Sequence, residues 1–142
     1  MNIDEQYRIL NFKDMGDARG NLIVVEGEKD IPFSIQRVFY IYGSDSKVIR
    51  GQHANKLSEF VLINIAGTSK VDIDNGVEKR TIPLDAPGKG LYIKTMIWKD
   101  MYEFSPDSVL LVLANTHYDG KEYIRNYDEY LQIVKKEKII KC

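Results

Sequence analysis

From its start to about residue 115 the chain alternates apolar and polar positions in short runs bounded by turn formers, which predicts strands. Tyr7 to Phe12 reads as the first, and after the turn residues Asp14 to Gly20 the run Asn21 to Glu26 returns, so a hairpin over 7–26 is expected. Lys29 to Phe33 contains Pro32, which removes a backbone donor and marks a connection or an edge. Arg37 to Tyr42 is a strongly β-forming aromatic run, with Val38, Tyr40 and Tyr42 on one face and Phe39 and Ile41 on the other.

The stretch Arg50 to Gly67, RGQHANKLSEFVLINIAG, joins the most reactive polar cluster to the most continuous apolar segment, Phe60 to Ala66. If it is extended, His53, Asn55, Leu57 and Glu59 share a face, because alternate side chains of a strand point the same way. Beyond it, Lys70 to Asp74 and Val77 to Ile82 flank Asn75-Gly76, the pair that a two-residue type I′ hairpin turn prefers. Pro83 to Gly90 reads as a loop, Leu91 to Ile93, Met96 to Trp98 and Met101 to Phe104 as short extended pieces, and Ser108 to Asn115 as a fully buried strand.

At Asp119 the period changes. Asp119 and Glu122 have the spacing of a capping box, and Tyr123, Tyr127, Tyr130, Leu131 and Val134 recur at helical intervals, so a helix over about 120–136 is expected. Its tyrosine stripe is read as packing against the sheets, and the tail KKEKIIKC as frayed. Eight to ten short strands closed by one helix predict an all-β sandwich or jelly-roll barrel, as one domain over residues 1–142. The N-terminal hairpin is the element expected to cover an open edge by exchange in a homodimer.

Composition narrows the function classes. Charge is balanced, 20 basic against 21 acidic residues, and no basic face invites nucleic acid. The one cysteine, Cys142, rules out an intrachain disulfide and a thiolate zinc cluster and suits a reducing cytoplasm. No apolar run reaches the roughly 20 residues that span a bilayer, and the N-terminus lacks an export pattern, so a soluble, cytoplasmic protein without membrane association is expected.

Phosphate loops, hydrolase triads and paired cysteines are missing, which leaves acid–base chemistry by a histidine, a tyrosine and a carboxylate. His53 titrates near neutrality, and Glu59 in a barrel mouth would have its pKa raised by burial unless a cation faced it. Arg37, Arg50 and Arg19 are the candidate cations for an anionic substrate group. His53-x-Asn55-x3-Glu59 is similar to the first cupin metal motif with its second histidine replaced by asparagine, a poor ligand, and nothing around His117 matches the second motif. Neither a metal nor another cofactor is expected.

The segments NFKDMGDARGNLIVVE, IPFSIQRVFYIY, RGQHANKLSEFVLINIAG, DAPGKGLYIKTMIW and VLLVLANTHYDGKEYIRNYDEYL, in this order from about residue 10 to residue 131, resemble the sugar 3,4-ketoisomerases. These WxcM-like small cupins act on thymidine-diphosphate-linked 4-keto-6-deoxyglucose. The resemblance implies a metal-independent, strand-exchanged jelly-roll homodimer that makes a 3-keto sugar, which an aminotransferase then converts for O-antigen or another surface glycan. The tyrosine of the family's aromatic strand matches Tyr40, and the arginine and first histidine of its RG-x-HAH motif match Arg50 and His53. The second histidine falls on Asn55, and an amide is no general base near neutral pH. On this reading His53 serves both carbons, while Tyr40 and Asn55 hydrogen-bond the enolate oxygen. Two alternatives stay open: an epimerase acting on a related keto sugar, and a non-catalytic nucleotide-sugar-binding homologue.

Overall fold

A computed structural model describes residues 2–141. Ten strands form two five-stranded antiparallel sheets. The first is ordered β1 (Tyr7–Asn11), β7 (Lys89–Ile93), β4 (Phe60–Ala66), β9 (Val109–Ala114), β2 (Arg37–Tyr42). The second is ordered β10 (Tyr123–Ile124), β3 (Arg50–Asn55), β8 (Trp98–Tyr102), β5 (Ser69–Asp74), β6 (Lys79–Leu84). One C-terminal helix, α1, covers Tyr127–Lys141, and the whole is a cupin-type jelly roll. Among the described residues no helix is long and apolar enough to cross a membrane.

The main core lies between the sheets, with Phe60, Leu62, Leu91, Ile93, Leu110 and Val112 facing Val71, Ile73, Leu84 and Met101. The opposite faces of β4 and β9 are buried as well, because Val61, Ile63 and Leu113 pack beneath Ile31 and Phe33 of the segment before β2. Burial on both sides is why β4 and β9 read as continuous apolar runs. A third cluster, Trp98, Ala54, Ile124 and Tyr130, seats α1 on the second sheet, and the Tyr130 hydroxyl donates to a backbone carbonyl there, that of Met96 at 2.7 Å. Tyr127 and Tyr130 therefore pack, as their spacing predicts.

The expected hairpin over 7–26 does not form. β1 pairs along its length with β7, and Asn21 to Glu26 holds only an isolated bridge, Asp14 with Ile23. Asp14 explains the difference, because its carboxylate accepts from the Gly16 and Leu22 amides and closes the segment into a loop of its own. The β5–β6 hairpin does form, but through a four-residue loop in which Asp74 pairs with Lys79. Asn75 uses its side-chain oxygen to accept from the Val77 and Glu78 amides, and of the pair only Gly76 takes a positive φ, 92°.

The expected helix start is also displaced. Asp119 caps, accepting from Lys121 N–H at 3.0 Å, but it caps a single 3₁₀ turn, η2 (Gly120–Glu122). The chain then adds β10 to the edge of β3, and α1 begins after Asn126, whose side chain accepts from Glu129 N–H. The helix continues through the segment expected to fray, as far as Lys141. Cys142 lies outside the described residues.

Candidate active site

β3 begins with a bulge that aims the site. Gly51 and Gln52 both take positive φ, 87° and 54°, and the pairing with β8 shifts register between Gly51 and His53. A Cβ on residue 51 would come 2.8 Å from the Lys99 carbonyl oxygen, so the close approach of β3 to β8 needs glycine there.

Past the bulge His53 and Asn55 turn inward together, as their parity predicts. The His53 ring lies 2.9 Å through Nδ1 from the Gly51 carbonyl, which can only accept. Nδ1 therefore carries the proton in the neutral ring and Nε2 keeps its lone pair. Burial, reinforced by the charge of Lys99, pushes His53 down to about 4 against the pull of the Gly51 carbonyl, so the imidazole is neutral at pH 7. Its ring sits 4.8 Å from that of Tyr123.

Asn55, 1% exposed, is held on both sides. Its amide nitrogen is 2.9 Å from each oxygen of Glu122, and its carbonyl accepts from Lys99 Nζ at 3.1 Å. Glu122 also accepts from the backbone and the hydroxyl of Ser58, at 3.1 and 2.9 Å. Lys99 faces His53 across the β3–β8 pair, lies 4.8 Å from the centre of the Phe60 ring, and is lowered by burial to about 7 although Glu122 pulls the other way. Arg37 closes the cluster, with its guanidinium carbon 5.6 to 5.8 Å from the rings of Phe39, Phe60 and Tyr118 and Nη1 donating to the Tyr123 hydroxyl at 3.3 Å. Its Nε and Nη2 are buried with no hydrogen-bond partner among the described residues. Donors left unmade in this way are the donors an anionic ligand would take.

Of the residues singled out in the sequence, the fold brings together His53, Asn55 and Arg37. Glu59 is not with them. Extended backbone stops at Asn55, the parity is lost through Lys56 to Ser58, and Glu59 instead accepts from the Tyr92 hydroxyl at 2.7 Å on the outer side of the first sheet. Tyr40 is on the outer face of the edge strand β2, 61% exposed and stacked on Tyr42. Arg50 is exposed and donates to Ser44, and Arg19 is tied to Asp17 in the Asp14 loop. No group of three His, Cys, Asp or Glu side chains converges as a metal set among the described residues. A separate groove, bordered by Asp72, Asp74, Asp100 and Tyr127, opens on the other face of β8 and shares no residue with this cluster.

Two residues of the cluster went unread in the sequence. Lys99 shares strand parity with Ile97 and Met101, and a lysine between two core positions was the available signal. Glu122 was read as part of a helix cap, and its burial depends on contacts more than 60 positions away.

The chain matches the family model FdtA, described as WxcM-like, C-terminal, over residues 5–135. It is 42% identical over 129 residues to the TDP-4-oxo-6-deoxy-alpha-D-glucose-3,4-oxoisomerase of Aneurinibacillus thermoaerophilus, with 91% of this chain and 93% of the relative covered. Among solved structures, the sugar 3,4-ketoisomerase QdtA of Thermoanaerobacterium thermosaccharolyticum in complex with TDP aligns at TM-score 0.90 and 42% identity, over 93% of this chain and 96% of that one. The TDP-fucose-3,4-ketoisomerase WlaRA of Campylobacter jejuni aligns at TM-score 0.85 and 46% identity, over 89% and 94%. With a matching jelly roll, a neutral, half-buried histidine at the expected strand and this breadth of identity, the chain belongs to the WxcM-like family of sugar 3,4-ketoisomerases and is an isomerase.

Proposed function

We propose that the protein moves the ketone of a thymidine-diphosphate-linked 4-keto-6-deoxyhexose from C4 to C3, with dTDP-4-keto-6-deoxyglucose as substrate and no metal or cofactor. The observation that carries this is His53: half-buried, neutral at pH 7, and with Nε2 left as its basic atom by the Nδ1 contact to Gly51. The hydrogen on C3 is acidified by the neighbouring carbonyl. His53 removes it, an enediol forms, and the same imidazole returns the proton at C4. Arg37, with two nitrogens that have no hydrogen-bond partner among the described residues, binds negative charge on the ligand. Asn55 acts by position, because its amide is engaged by Glu122 and Lys99 and cannot carry protons.

The active assembly is a homodimer. β2 is an edge strand whose outer face presents Val38, Tyr40 and Tyr42, and the loop segment before it exposes Met15, Leu22 and Val24, apolar side chains that a second copy would cover. The 3-keto product is the substrate class for an aminotransferase making a 3-amino-3,6-dideoxy sugar for a surface glycan.

The test is incubation with dTDP-4-keto-6-deoxyglucose in deuterated water, followed by NMR. Exchange at C3 with appearance of the 3-keto sugar is expected. No exchange above the buffer rate would overturn the proposal, and exchange at C5 as well would point to epimerisation.

A further inference from the structure

Moving a ketone between adjacent carbons relocates two protons. The hydrogen on C3 passes to C4, and the proton of the C3 hydroxyl passes to the oxygen on C4. His53 can carry the first. The second also needs a carrier, and Asn55 cannot be one.

Lys99 is placed for it. The β3–β8 register sets it directly opposite His53, and its inward parity with Met101 keeps the side chain inside the barrel, 4% exposed. Nζ donates to Asn55 Oδ1 at 3.1 Å and reaches the Ile97 carbonyl only at 3.5 Å. Lys99 makes no ion pair among the described residues: Glu122, the carboxylate nearest in the network, is separated from it by the Asn55 amide. An ammonium has three donors, so at least one N–H is left for a ligand. A lysine buried without a carboxylate partner is costly to keep, and a position on the working face of the site gives it a use.

We propose that Lys99 is the oxygen-side acid and base of this site: its ammonium gives a proton to the C4 oxygen as His53 takes the C3 hydrogen, and the resulting amine takes the C3 hydroxyl proton as His53 returns its own to C4. The inference rests on the ketoisomerase reading. In the first half the C3–H electron pair becomes the C3–C4 double bond and the carbonyl π pair binds the lysine proton. In the second half the O3–H pair becomes the C3 carbonyl and the double-bond pair binds the imidazolium proton at C4. Carbon 3 is oxidised and carbon 4 reduced by the same electrons, and both side chains end as they began, so no co-reactant is needed.

The electrostatics fit this role. Burial brings Lys99 to about 7, where one group can both give and take a proton near neutrality. The groups facing it are Glu122 from η2, which favours its charge, His53 from β3, and Arg37 from β2, which shares the Phe60 ring with it; Tyr123 from β10 lies against His53 and Arg37. Arg125 adds positive charge near His53.

The experiment compares wild type, Lys99→Met and Lys99→Arg as full chains with dTDP-4-keto-6-deoxyglucose in deuterated water from pH 5 to 9, reading C3 exchange and 3-keto product separately. For wild type, product formation is expected to fall as pH rises through about 7, where Lys99 loses its proton. Lys99→Met should form product about 10² to 10⁴ times more slowly, the usual range for losing one acid–base group. Lys99→Arg keeps a cation that cannot release its proton. Its product formation should fall as far while C3 exchange exceeds that of the Met variant, and the limb near pH 7 should vanish. Product formation by Lys99→Arg within threefold of wild type with the limb intact overturns the proposal, as does a wild-type profile flat through pH 7. If wild type neither exchanges nor turns over, the ketoisomerase reading itself fails; if wild type is active and Lys99→Met equals it, only the role of Lys99 fails. Should circular dichroism show the Met variant unfolded, the Arg variant and the wild-type profile decide.

Discussion

Two buried asparagines on strands of opposite sheets, β3 and β4, have opposite roles. Asn64 of β4 donates to Ser108 Oγ at 2.8 Å and to the Ala66 carbonyl at 3.1 Å, and accepts from the Ser69 hydroxyl. Every partner is neutral and the network closes on itself. Asn55 of β3 is as deeply buried, yet it bridges a carboxylate and an amine, and the amine is displaced to about 7. A closed neutral network fixes strands in place. One that separates opposite charges by a single amide holds an exchangeable proton next to a base, which is what a site needs and a core avoids.

The largest effect expected from breaking this contrast is on His53. His53→Asn should lower C3 exchange by about 10³-fold, within the range for a general base, measured by NMR in deuterated water. The fold should survive, since among the described residues the ring's hydrogen bond is one partly buried contact to Gly51. Glu122→Gln comes next. It removes the charge that favours protonated Lys99, so the alkaline limb of the rate profile should move to lower pH, and it weakens four hydrogen bonds, costing about 2 to 4 kcal/mol of stability by denaturant titration. An unchanged limb would contradict the link between Glu122 and Lys99.

Asn64→Ala sharpens the comparison from the other side. It should cost about 1 to 3 kcal/mol by leaving Ser69 and Ser108 without their partner, while the shape of the pH profile stays as in wild type. A smaller effect is expected on acid stability. His53 is held at about 4 in the folded protein against about 6.5 unfolded, so between those values the unfolded chain binds more protons and stability falls as pH drops from 6.5 to 4. In His53→Asn the melting temperature should decline less over that window. Asn55→His should change least, with a rate equal to or above that of wild type, because an imidazole can still accept from Lys99 and donate to Glu122.

Local pattern was enough for much of the frame. Arg37–Tyr42 and Phe60–Ala66 are strands with the bounds their periodicity predicts, the 70–82 stretch is a hairpin, and His53 and Asn55 share a face because two residues of strand always do. The sequence by itself thus determined an all-β sandwich with one C-terminal helix and the histidine at its centre. Only the tertiary structure decided which partners that histidine has. Parity carries no further than unbroken strand, so the irregular Lys56 to Ser58 sent Glu59 to Tyr92 on the outer side and left the carboxylate position to Glu122, 67 residues from Asn55 along the chain. Tyr40 and Tyr123 exchanged expected places for a similar reason. β2 turns its alternate residues outward, while β10 joins the edge of β3 and carries Tyr123 to His53. Parity alone hinted at Lys99, a lysine between two core positions; its burial, and with it the lowered pKa, arises from two sheets closing over one side chain.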